Sequence, residues 1–104
     1  MPPKPGFHAQ LALLQEVFAQ SPTVKYYVHA QDQMRDRRIA RQDVRSALAS
    51  GEVVSTELAY ETEERWRVKG YDVDGDALIV VIEAIQSGGD TIVVVAAFPP
   101  KGRR

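Results

Sequence analysis

From Val53 onward the period of the sequence switches to two, and this half of the chain reads as strands. Val53 to Tyr60, Arg65 to Val73, Ala77 to Ile85 and Thr91 to Phe98 each carry the two-residue period of a pleated surface. Asp74-Gly75 is a hairpin signal between the second and third of these strands, and Ser87-Gly88-Gly89-Asp90 marks the next turn. Glu61 to Glu64 reads as a charged loop. Connections this short predict a four-stranded antiparallel meander. Ile79 to Ile82 and Ile92 to Val95 are apolar on both faces, which places these strands centrally.

The first half has the helical period instead. Phe7, Leu11, Leu14 and Phe18, widened by Leu13 and Val17, form one stripe of an amphipathic helix that Ser21-Pro22 ends. Val24 to His29 alternates as a strand, with Val24, Tyr26 and Val28 on its apolar face. A short helix then runs to about Arg38-Ile39. A second covers Arg41 to Ser50, with Val44 and Leu48 buried and Gly51 as its stop. The predicted fold is α+β: an N-terminal helix, a strand, two short helices, then the meander. A chain of 104 residues holds one such domain, over 7–98. Residues 1–6 (M-P-P-K-P-G) form a disordered lead and 99–104 a basic tail.

Composition excludes several classes of function. With no cysteine there is no disulfide framework, thiol nucleophile or Cys-ligated zinc. No apolar window is long enough for a membrane span, and no secretory leader is visible, so the chain is read as cytoplasmic. Walker and dinucleotide-binding glycine motifs, the G-x-S-x-G elbow and zinc-hydrolase histidine spacing are all missing. The net charge of −1 hides an asymmetry. Residues 1–50 hold seven Lys/Arg against four Asp/Glu, and residues 51–104 hold six against ten. RNA binding draws on a basic surplus, and here that surplus is local, at Arg35, Arg37, Arg38, Arg41 and Arg45.

Three stretches are candidates for chemistry. On a helix starting near His29, that residue, Gln33 and Arg37 share one face at i, i+4 and i+8. An imidazole beside a guanidinium suits acid–base work next to a phosphate. The plainer alternative is a histidine bonded to backbone and a solvated arginine face. Arg65, Arg67 and Lys69 alternate on one strand face opposite Trp66 and Val68, with Tyr71 just beyond; this is either a phosphate-binding row or an exposed polar face. Asp72, Asp74 and Asp76, with Glu83 eleven residues after the first, imitate an EF-hand calcium loop. Ala77 stands where that loop needs glycine, and the flanks are strand-like, so the letters are assigned to a hairpin and no metal is expected.

His29-Ala30, Met34, Arg37 and Ile39, then a helix, Gly51, Trp66-x-Val68-x-Gly70 and Asp74-Gly75, resemble the domain of unknown function 4258 family over residues 24–98. That family is similar to the RelE-like toxins, small metal-independent ribonucleases with helices packed on an antiparallel sheet. The resemblance implies RNA cleavage by 2′-OH attack, with no cofactor and with a zinc-finger type antitoxin as partner. It implies His29 as base or acid, Arg37 and Arg67 as phosphate stabilisers and Tyr71 as a proton donor. Arg35, Arg38, Arg41, Arg65 and Lys69 are the further phosphate-binding candidates. The alternative is a non-catalytic protein-binding or regulatory module on the same scaffold. The chain departs from the family pattern in having Gln33 for arginine, Arg38 for a glycine helix cap and Ala40 for a Ser or Thr N-cap.

Overall fold

A computed structural model describes residues 6–59, 63–86 and 88–100. The element order is α1 (His8–Ala19), β1 (Thr23–Tyr26), α2 (Val28–Asp36), α3 (Arg41–Ser50), β2 (Glu52–Ala59), β3 (Glu63–Tyr71), β4 (Ala77–Glu83) and β5 (Thr91–Phe98). The fold is α+β, with three helices and one five-stranded mixed sheet in the order β1-β5-β4-β3-β2. The strands β2 to β5 form the expected antiparallel meander, and β1 enlarges it to five by pairing parallel to β5, Val24 opposite Ile92 and Tyr26 opposite Val94. Parallel pairing is open to β1 because its partner is more than sixty residues away, so no tight turn fixes their relative direction.

All three helices pack on the same face of the sheet. One core joins Leu14 and Val17 of α1, Ala30 and Met34 of α2, and Val44, Ala47 and Leu48 of α3 to Trp66, Val68, Val80, Ile82, Ile92 and Val94. The α1 stripe contributes about 3–6 kcal/mol through Leu14 and Val17 alone, as an upper estimate from complete burial.

Local chemistry sets the boundaries. Strand β1 stops at Tyr26, earlier than the alternation suggested, because the Tyr27 N–H donates to the Val94 carbonyl and the Tyr27 carbonyl then accepts the N–H of Gln31. Val28 and His29 therefore lie in the first turn of α2 and not in a strand. The end of α2 is a Schellman motif: Arg38 N–H donates to Arg35 O and Ile39 N–H to Met34 O, with Arg38 left-handed at φ 58°. The departure at Arg38 thus falls on a real glycine-type cap. Ala40 precedes α3 without a side-chain oxygen, and the Asp43 carboxylate compensates by accepting the Ala40 N–H at 2.9 Å.

Gly51 does end α3, though not through a left-handed backbone. Its φ of −92° suits any residue, but a Cβ there would lie 2.5 Å from the Ala47 carbonyl oxygen. Gly70 on β3 is tighter still, with its virtual Cβ 2.0 Å from the same oxygen, and it lets α3 lie directly on the sheet. Between β3 and β4 the turn spans Asp72 to Asp76 and is longer than the two-residue hairpin expected. Asp72 Oδ1 accepts the N–H groups of both Asp74 and Asp76 at 2.9 Å. These inward bonds account for the acidic spacing. Glu63 and Glu64, expected in a loop, already belong to β3. Residues 1–5, 60–62, Ser87 and 101–104 lie outside the described residues, and with them most of the lead and of the basic tail.

Candidate functional site

The sheet face opposite the helices carries the alternating cations. Register sets Ser55, Arg67, Val81 and Ala96 in one row across it, and Glu52, Lys69, Ile79 and Phe98 in the next. The Arg67 guanidinium lies 5.6 Å from the centroid of the Phe98 ring. The ring face attracts the cation and leaves its terminal N–H groups for an anion. The Nε atoms of Arg65 and Arg67 are buried without a hydrogen-bond partner among the described residues. Neither Arg67 nor Lys69 is ion-paired there either.

Further along the same face the charges are compensated. Arg65 contacts Glu63 at 3.4 Å and sits 5.8 Å from the Tyr27 ring centroid. The Tyr27 hydroxyl donates to Glu83 at 2.5 Å, with Glu63 at 3.3 Å. The hydrogen bond to Glu83, then burial and the neighbouring carboxylates, push the Tyr27 hydroxyl up to about 12. A phenol held this firmly neutral ties the start of α2 to the sheet and is a poor proton source near neutrality.

His29 lies in the first turn of α2 and Arg37 at its C-terminal cap, on the helix face whose Gln33 meets the β5 edge of the sheet. Both are exposed, and neither has a side-chain hydrogen bond or ion pair among the described residues. Between them on the helix, Gln33 accepts the Ala97 N–H with its Oε1 at 3.0 Å. Where β1 ends, α2 continues along the edge of β5, and Gln33 satisfies the donor that edge would leave free. The His29–Gln33–Arg37 face is thereby fixed beside Ala97, next in the chain to Phe98, on which Arg67 stacks. Tyr71 is 52% exposed at the far end of β3.

Apart from Arg37, the candidate cations fall into two groups. Arg65, Arg67 and Lys69 lie on the open face. Arg35, Arg38 and Arg41 lie on α2, at its cap and on α3, toward the helical side; Arg35 pairs with Asp32 at 2.8 Å, and Arg41 stacks 4.9 Å from the Tyr26 ring centroid. Sequence reasoning missed Tyr27 and Phe98. The outward position of Tyr27 was visible in the alternation with Lys25, whereas the pairing of Phe98 with Arg67 depends on strand order. Among the described residues no group of three or more His, Asp or Glu is placed to hold a metal ion.

The profile of the family Domain of unknown function (DUF4258) matches residues 26–101. The chain belongs to that family. The match takes in α2, α3 and strands β2 to β5, and leaves out α1 and nearly all of β1. The α2 face, the β3 cations and Phe98 all lie within the region matched to the DUF4258 family. No curated protein and no solved structure matches the chain. No helix among the described residues is long and apolar enough to cross a membrane.

Proposed function

We propose that this DUF4258 protein is a toxin-like, metal-independent ribonuclease of a toxin–antitoxin pair. The observation that carries the reading is the row of Arg67 and Lys69, without carboxylate partners or a covering helix among the described residues, on a sheet whose β5 edge is met by the α2 face that bears His29, Gln33 and Arg37. In the reaction a ribose 2′-oxygen bonds to the adjacent phosphorus while the bond from phosphorus to the 5′-oxygen breaks. His29 takes the 2′-OH proton or returns a proton to the departing 5′-oxygen, with Tyr71 as the other donor. Arg67 and Arg37 hold the charge gathering on the phosphorane, and Arg65 and Lys69 bind flanking phosphates. The products are a 2′,3′-cyclic phosphate and a 5′-hydroxyl end.

Incubating the purified protein with single-stranded RNA in chelator, and mapping the ends produced, tests this. Cyclic phosphate ends are expected, and Arg67→Ala should reduce their rate of appearance.

The second reading, a non-catalytic protein-binding module, draws on edge strand β2, where Val54 and Leu58 are 40% and 67% exposed. It predicts intact RNA and capture of a protein partner through that edge.

A further inference from the structure

The helical side of the molecule holds a separate hollow of about 310 Å³, lined by Tyr26, Gln31, Met34, Arg35, Ile39 and Arg41 among others. This volume is at the lower end of the range of small-ligand pockets, roughly 300–1,000 Å³. Its floor is aromatic and apolar, from Tyr26, Met34 and Ile39, and its rim is cationic. The Arg41 guanidinium lies over the Tyr26 ring at 4.9 Å. Arg41 and Arg45 both lower the pKa of the Tyr26 hydroxyl, against a larger upward effect of burial, so both cations act on this spot. Of the nearby carboxylates, Asp32 is engaged with Arg35, and Asp43 accepts the N–H groups of Ala40 and Val73.

We infer that this hollow seats one nucleotide of a single-stranded RNA, with its base on the Arg41–Tyr26 stack and its phosphate at the guanidinium edge. The inference rests on the reading that the chain acts on RNA. A guanidinium lying over a tyrosine ring leaves its outer side for a base and its N–H groups for a phosphate. An acidic peptide would use the charge but leave the flat stack and apolar floor without a matching group. Because Tyr26 faces the helical layer while Arg67 faces away from it, the hollow holds a part of the strand distant from the bond being cut.

The test uses the full chain and two probes: a short oligouridylate, long enough to reach both surfaces, and a uridylyl dinucleotide, which reaches only one. In Arg41→Ala, oligouridylate affinity should fall about tenfold or more. The salt dependence of binding should flatten by about 0.7 in log–log slope, as for one lost phosphate contact. The ratio of oligouridylate to dinucleotide turnover should fall with it. Arg41→Lys, which keeps the charge and loses the plane, should restore the slope but not the affinity. If wild-type protein binds and cleaves RNA but Arg41→Ala binds oligouridylate equally well, the hollow is overturned and the sheet-face reading stands. Equal loss of turnover on both probes overturns it by making Arg41 part of the reacting site. An oligoglutamate peptide that binds more tightly than oligouridylate, and depends on Arg41, overturns it in favour of an acidic protein partner. If wild-type protein neither binds nor cleaves RNA, the functional reading fails and the hollow with it.

Discussion

Gln33 Oε1 accepts the backbone N–H of Ala97 at 3.0 Å across sixty-four residues of sequence, which makes the helix α2 a substitute for a missing strand. Strand β1 covers β5 only from Thr91 to Val94, and beyond that a side chain does the work of a ladder. Gln33→Ala leaves the Ala97 donor partly buried and unpaired, at a cost of about 1–3 kcal/mol. Urea unfolding should show that loss. Gln33→Arg, which has no acceptor, should show at least as much. A loss within 0.5 kcal/mol, about the usual range for a surface change, would remove the edge-capping role.

Arg38 fills a left-handed cap at φ 58° that favours glycine. An L side chain there costs roughly 1–2 kcal/mol, partly returned by the greater freedom glycine has in the unfolded chain. Arg38→Gly should therefore raise stability by about 0.5–1 kcal/mol, a melting temperature a few degrees higher for a domain of this size. An unchanged or lower value would mean that the arginine side chain contributes a contact that offsets its strain.

Gly70 is where the sheet and α3 touch backbone to backbone. A Cβ placed 2.0 Å from the Ala47 carbonyl oxygen has no flexible neighbour to push aside. Gly70→Ala should cost about 3 kcal/mol or more, at or above the upper end of overpacking effects. Circular dichroism melts read this directly. A near-native melt would show that α3 can slide on the sheet.

How far the sequence reveals the fold depends on how local the cause is. The bounds of α3 and β5 follow from their periodicity, and the cation row of β3 follows from alternation. The parallel pairing of β1 leaves no local mark, since it depends on which sheet edge remains open once the meander has formed. Gln33 is unreadable for the same reason, because its partner is a donor freed by the early end of β1. Tyr26 and Arg41 are both visible in the sequence, but their contact requires α3 to turn back over the end of β1. The Arg38 cap is legible only through the family resemblance, whose pattern has glycine at this helix end.

Tyr27 makes stability depend on alkali. Its hydroxyl titrates near 12 in the folded chain against an ordinary value of 10, so the folded state holds the proton more tightly. The contribution is complete below about pH 10, where both states are protonated, and is lost as pH rises through 10 toward 12. Tyr27→Phe should remove this slope and flatten the comparison of melting temperature with wild type over that window. A wild-type and variant pair with parallel profiles would show that the hydroxyl does not hold Glu83 in solution.

His29 and Arg67 can be separated by what each does to binding and to the chemical step. His29 is exposed and carries no side-chain partner among the described residues, so His29→Ala should leave the melting temperature nearly unchanged, as surface changes do. On the proposed reading it acts as general base or acid, a role worth about 10²- to 10⁴-fold, so the variant should lose turnover on that scale while still binding RNA. Arg67→Ala removes a cation from the proposed phosphate seat and should weaken binding as well as turnover. It should also flatten the salt dependence of binding, because a released phosphate contact leaves its counterion in place. Single-turnover cleavage and anisotropy on one RNA give both quantities. If His29→Ala cleaves like the wild type while Arg67→Ala does not, proton transfer belongs to another group, and Tyr71→Phe is then the variant expected to lose turnover. If both variants cleave like the wild type, the open sheet face is not where the reaction occurs.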